Sequence, residues 1–109
     1  MDGIELIAFN IISNVGTAKS MAMEALIKGR SGNIQEAEKL LGEALDFMRE
    51  GHKSHAQLIQ EEAQGNKQEI SLILMHAEDQ LMASDTIICL ANEMLSMQKE
   101  ISLIKKLIK

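Results

Sequence analysis

No proline interrupts this chain of 109 residues, and three of its seven glycines fall where long helical segments would end. Gly29, Gly32 and Gly65 are the expected stops, because glycine enters the left-handed conformation that closes a helix without steric penalty. Three segments open with an acidic or amide residue followed three positions later by glutamate: Asp2 with Glu5, Asn33 with Glu36, and Asn66 with Glu69. Each pair is a variant of the capping box, in which the first side chain accepts from an orphan amide and glutamate reaches back. The punctuation therefore predicts helices over about 3–29, 34–64 and 67–107. Phe9 and Phe47 are the only aromatic residues while methionine reaches eight, a composition suited to helices packed with flexible aliphatic side chains and not to an all-β fold. The length suits one domain, residues 1–109.

Apolar spacing supports the same division. Ile4, Ala8, Ile11, Val15, Ala18 and Ala22 recur at intervals of four and three in the first helix, and Ile34, Ala37, Leu41, Ala44 and Met48 do so in the second. That is one buried stripe per helix. Short connections make sequential helices antiparallel, so the expected fold is all-α, an up-down-up three-helix bundle. Gly16, inside the first helix, is read as a point of close helix approach.

The third helix is apolar on more than one side. One seam runs through Ile70, Leu74, Ala77, Leu81, Ser84, Ile88, Ala91 and Leu95, and a second through Ile73, His76, Gln80, Ala83, Ile87, Leu90, Met94, Met97, Ile101, Ile104 and Ile108. A third line carries Leu72, Met75, Asp79, Met82 and Cys89. Two partner helices in a monomer do not cover so broad a surface, and self-association through this helix is the natural solution.

Charge excludes some functions. The net charge of -5 and the lack of aromatic stacking platforms argue against nucleic-acid binding. Residues 99 to 109 carry Lys99, Lys105, Lys106 and Lys109 against Glu100, a local +3 that leaves -8 elsewhere. These lysines are read as complementing a negative helix terminus in preference to forming a lipid or anion patch. Asp79, Asp85 and Glu93 interrupt the most hydrophobic region before it reaches the length of a bilayer span. The opening Met1-Asp2-Gly3-Ile4-Glu5 lacks the basic segment of a signal peptide. A single cysteine, Cys89, fits a reducing cytoplasm and reads as a buried small hydrophobe.

Chemistry concentrates where polar residues break the apolar third helix. His76 faces Asp79 at i+3 and Gln80 at i+4. A neutral imidazole nitrogen there is a capable phosphoryl or acyl acceptor, although spacing alone favours a core histidine with satisfied hydrogen bonds. Asp79 shares its line with Leu72, Met75 and Met82; burial would require a partner, a proton or a metal, and a solvent-facing carboxylate beside a groove stands as the equal alternative. Three such carboxylates converging on an axis would suit a divalent cation such as Mg²⁺. His52 and His55 lie three apart, yet no Cys or second His pair completes a zinc set. His55 and His76 both lie about 16 Å along their helices from the Gly65-Asn66 turn, which places His55 as a neighbour of His76. A metal-storage or metal-enzyme bundle is disfavoured because position 73, where Glu-x-x-His would need a carboxylate, is isoleucine.

The stretch Ile70-Ser71-Leu72-Ile73-Leu74-Met75-His76-Ala77-Glu78-Asp79-Gln80-Leu81-Met82 resembles the active-site helix of the lactose/cellobiose-specific IIA components of the bacterial phosphoenolpyruvate-dependent sugar phosphotransferase system. Ile11 to Ser20 with Glu24-Ala25-Leu26 is similar to the family's first helix, Gly32-Asn33 with Glu36-Ala37 to its second turn, and His52 with Leu58 to Ala63 and Gly65 to its second helix. The resemblance implies a homotrimer of three-helix bundles joined through the third helix. It also implies His76 as the phosphorylated histidine and Asp79 as a buried aspartate gathered around a divalent cation, of the Mg²⁺ type, on the trimer axis. Phosphate would arrive from the histidine-containing phosphocarrier protein and leave to a cysteine of the IIB component, with the membrane reached only through IIC. The chain departs from the family pattern at Gln80, usually a second histidine, at Glu78, commonly Gln, and at Thr17, usually acidic. In a supporting role Gln80 could donate an amide hydrogen to a phosphoryl oxygen but supplies no charge or proton. The rival class is a noncatalytic helical adaptor in which His76 and Asp79 only fix register.

Overall fold

Gly32 and Gly65 adopt φ of 90° and 92°, and each closes the preceding helix with the paired backbone bonds of a Schellman motif. At the first, the Asn33 amide donates to the Lys28 carbonyl at 3.0 Å and the Gly32 amide to that of Gly29 at 3.1 Å. At the second, Asn66 donates to Glu61 and Gly65 to Glu62, both at 3.0 Å. The chain, seen in a computed structural model that describes residues 3–108, accordingly forms α1 (Gly3–Arg30), α2 (Ile34–Ala63) and α3 (Leu72–Ile108). Among the described residues there is no strand.

The stops behave as expected; the starts do not. Asp2 lies outside the described residues. Asn33 makes no side-chain capping bond, and Glu36 pairs across the turn with Lys28 at 3.6 Å. Helix α3 begins at Leu72, five residues later than 67. Asn66 is occupied elsewhere, its amide donating to the Glu61 carboxylate at 3.2 Å and its carbonyl accepting from Gln68 at 2.8 Å. Ser71 caps instead, its hydroxyl accepting from the Leu74 amide at 3.2 Å, the Ncap-to-N3 bond that satisfies an otherwise orphan donor.

Each helix buries the stripe its spacing predicts. The core comprises Ala8, Ile11, Val15, Ala18, Ala22 and Ala25 of α1, Ala37, Leu41, Ala44, Met48 and Leu58 of α2, and Ala77, Leu81, Ile88, Ala91 and Leu95 of α3. Ile70, placed by spacing at the head of the α3 seam, is instead exposed in the connection before the helix. Helix α1 packs closely against both others, while α2 and α3 meet less extensively. Small residues let the axes approach, but not at Gly16, where an added Cβ would meet nothing within 4 Å. The close approaches are at Gly51, where a Cβ would fall 2.5 Å from Val15 Cγ1, and at Gly29, where it would run into the Gln98 amide. Gln98 Nε2 also donates to the Leu26 carbonyl at 2.9 Å, fastening α3 to the last turns of α1.

The result is a rod of 63 × 22 × 19 Å, with α1 and α3 parallel and α2 antiparallel to both. Three polar pairs along the α2–α3 seam agree with that register: His55 with Glu78, His52 with Asp85, and Glu38 with Lys99. Their numbers fall along one chain as they rise along the other, as antiparallel packing requires. Among the described residues no helix is long and apolar enough to cross a membrane.

Candidate functional site

Helix α3 has an inner and an outer side. Ala77, Leu81, Ser84, Ile88, Ala91 and Leu95 point into the bundle, and about 100° per residue carries His76, Asp79 and Met82 away from it. All three are exposed. His76 makes no hydrogen bond among the described residues, so it is not the satisfied core histidine that spacing favoured. Both ring nitrogens are open to an approaching partner.

The other two histidines differ. His55 is half-buried, with Nε2 2.7 Å from Glu78 Oε1. His52 Nε2 lies 2.8 Å from Asp85 Oδ1. Both are held across the α2–α3 seam by carboxylates. His55 therefore does not surround His76: Glu78, its partner, is two residues from His76, and such a separation places side chains on nearly opposite sides of a helix. The spacing of His52 and His55 against Glu78 and Asp85 on an antiparallel neighbour is the signal that could have revealed these pairs.

Asp79 and Gln80 lie within one turn of His76, as the spacing requires, yet neither bonds to it. Gln80 is half-buried, and its Nε2 sits 3.5 Å from Asp79 Oδ2. Asp79 takes the solvent-facing alternative within this chain, lining an open groove of about 420 Å³ with Ile70, Leu74, Met75, Glu78 and Met82. Among the described residues no group of three or more His, Cys, Asp or Glu side chains could hold a metal. Glu78, the other carboxylate of this groove, is engaged with His55, so an oxygen-coordinated cation would need other copies of Asp79. Cys89, expected in the core, is also exposed on this side.

A three-helix antiparallel bundle with one unencumbered histidine on its longest helix has the form of a helical carrier domain. Comparison with known proteins identifies it. The profile of the family described as "PTS system, Lactose/Cellobiose specific IIA subunit" matches residues 6–99, and the chain belongs to that family. It is 37% identical to the lichenan-specific phosphotransferase enzyme IIA component of Bacillus subtilis, over 91% of this chain and 90% of that one. It is 38% identical to the lactose-specific EIIA component of Streptococcus mutans, over 72% and 76% of the two chains. The crystal structure of the cellobiose-specific enzyme IIA from Bacillus anthracis superposes with a TM-score of 0.91 at 40% identity, covering 94% of each chain. The chain is thus a IIA component of a sugar phosphotransferase system.

Proposed function

We propose that His76 carries phosphate, accepting it from the histidine-containing phosphocarrier protein and passing it to a cysteine of a cognate IIB component during uptake of a lactose/cellobiose-class sugar. One observation carries this reading: His76 alone among the three histidines is exposed and unbonded, whereas His52 and His55 are held by carboxylates. A carrier needs a nitrogen lone pair available to two successive partners. His52 and His55 each give Nε2–H to a carboxylate of α3, which leaves a lone pair on Nδ1 alone and fixes the ring against the α2–α3 seam, whereas neither nitrogen of His76 is committed.

In the first step a neutral His76 ring nitrogen attacks phosphorus in line; a P–N bond forms as the donor's P–N bond breaks, and the donor imidazole leaves. In the second the IIB thiolate attacks, a P–S bond forms, and the His76 imidazole departs with the electron pair of the broken P–N bond. Little beyond positioning and charge stabilisation is asked of the protein. Gln80, one turn away, is placed to donate an amide hydrogen to a phosphoryl oxygen. Arg49 is paired with Asp46 at 2.6 Å on α2, and Arg30 lies at the other end of the bundle, so the partners are the source of positive charge. The work is done in the cytoplasm, with the bilayer reached only through IIC.

The same reading makes the active unit a homotrimer. Leu72, Met75, Met82, Leu90, Met94 and Met97 are all exposed along the outer side of α3, a larger apolar surface than a monomer ordinarily leaves in water. Packing three α3 helices about an axis would cover it. Asp79 from each copy would then supply oxygen ligands, and a bound Mg²⁺ would neutralise converging carboxylates without entering the phosphoryl transfer.

The test is reconstitution. Given phosphoenolpyruvate and the upstream carriers, the chain should gain one phosphoryl group, and a matched IIB should remove it. A chain that gains none while a known IIA component does so in the same mixture would return the reading to the noncatalytic adaptor.

A further inference from the structure

Helix α3 outlasts the bundle. Its last buried core residue is Leu95 and its last tie to α1 is Gln98, yet the helix continues to Ile108. The family profile ends at residue 99. Leu103, Ile104, Leu107 and Ile108 are between 54% and 85% exposed. No bundle helix covers them.

The extension is two-sided. At about 100° per residue, Lys99, Lys105 and Lys106 fall on one side, and Ile101, Leu103, Ile104, Leu107 and Ile108 on the other; Glu100 interrupts the apolar side in its first turn. Lys99 is engaged with Glu38 at 3.4 Å, while Lys105 and Lys106 make no ion pair among the described residues. Other copies of α3 could cover Ile101, Ile104 and Ile108, which continue the seam through Leu90, Met94 and Met97. Leu103 and Leu107 lie off that seam, on the side of the helix away from Lys105, and are 61% and 85% exposed.

We infer that residues 103–108 dock on an anionic lipid surface. Exposed leucines on one side and unpaired lysines on the other are the combination by which interfacial helices bind: apolar side chains enter the headgroup region while cations meet acidic lipids. Charge complementarity selects the occupant, since neither a neutral bilayer nor a second basic extension satisfies Lys105 and Lys106. If three chains assemble with their α3 helices parallel, as proposed above, the extensions would project from one end and weak individual contacts would multiply.

The experiment is co-sedimentation of the full chain at low salt with vesicles of phosphatidylcholine alone or mixed with phosphatidylglycerol. Retention is expected on the mixed vesicles only, falling at least tenfold in Lys105→Glu/Lys106→Glu and in Leu103→Ser/Leu107→Ser, with sedimentation velocity unchanged. Equal retention on neutral vesicles, none on mixed vesicles, or retention that survives either double substitution overturns the inference. A serine pair that alters the oligomeric state also overturns it, assigning the leucines to contacts between copies. Phosphate acceptance, read without vesicles, should be the same in every variant, which separates this result from the fate of the phosphocarrier reading.

Discussion

The two sides of α3 carry the same kinds of residue to opposite ends. Its inner side places Ala77, Leu81, Ile88, Ala91 and Leu95 against α1 and α2, with most of their surface removed from water. Its outer side places Leu72, Met75, Met82, Leu90 and Met97 in solvent beside His76 and Asp79. Inside, Ala77, Ser84 and Ala91 alternate with Leu and Ile, which lets the helix axes approach. Long and flexible side chains dominate outside, where a surface must fit partners. The difference separates residues that make the bundle from residues that make it useful, and substitutions on the two sides should register in different assays.

The largest contrast is expected at His76. His76→Ala should abolish phosphate acceptance while shifting stability by no more than about 0.5 kcal/mol, because an exposed side chain away from caps and core contributes little to folding. Denaturant unfolding beside the phosphorylation assay checks both halves; a variant that loses both would make His76 structural. Asp79→Leu should leave the trimer intact or strengthen it by about 1 to 4 kcal/mol, since converging charge is replaced by apolar packing. Mg²⁺ should raise the melting temperature of the parent more than that of this variant, and equal thermal shifts would dissolve the Asp79 cation site.

On the inner side, Gly51→Ala should destabilise by about 1 to 3 kcal/mol through overpacking against Val15. Gly16→Ala, with open space around it, should stabilise α1 by about 0.5 to 1 kcal/mol. Chemical denaturation of the pair reads the contrast directly, and equal effects would mean that the register of α1 against α2 is wrong. An inner effect of similar size is expected at Ser84, which is fully buried with a hydroxyl that has no partner. Ser84→Ala should stabilise by about 1 kcal/mol, because an unsatisfied buried hydroxyl costs about that much. A loss of stability on calorimetry would show that Ser84 has a bonding role.

Much of the inner side was legible in the sequence, because burial in a helix repeats every three to four residues and glycine marks the ends. The stripes of α1 and α2 and the α3 seam from Ala77 to Leu95 all follow that rule. Register between helices obeys no such local rule. Hence Gly16 reads like a contact glycine but is open, while Gly51 and Gly29 become contacts only once Val15 and Gln98 are set opposite them. Competing local bonds blurred the start of α3, where Asn66 and Ser71 could each cap and the Glu61 and Gln68 contacts drew Asn66 away. The candidate site was legible as residue types in one turn and through family resemblance. That His55 belongs to Glu78 depends on a helix distant in sequence, as does the freedom of His76 by contrast.

The central claim is that His76 is the phosphate carrier because it is the histidine left free. Fragment mass spectra of the chain after incubation with phosphoenolpyruvate and the upstream carriers, collected under mildly basic conditions that preserve a phosphoramidate, test this most directly. The account predicts one phosphoryl group, on His76, which His52→Ala and His55→Ala leave in place. Phosphate found on His52 or His55, or retained by His76→Ala, would contradict it.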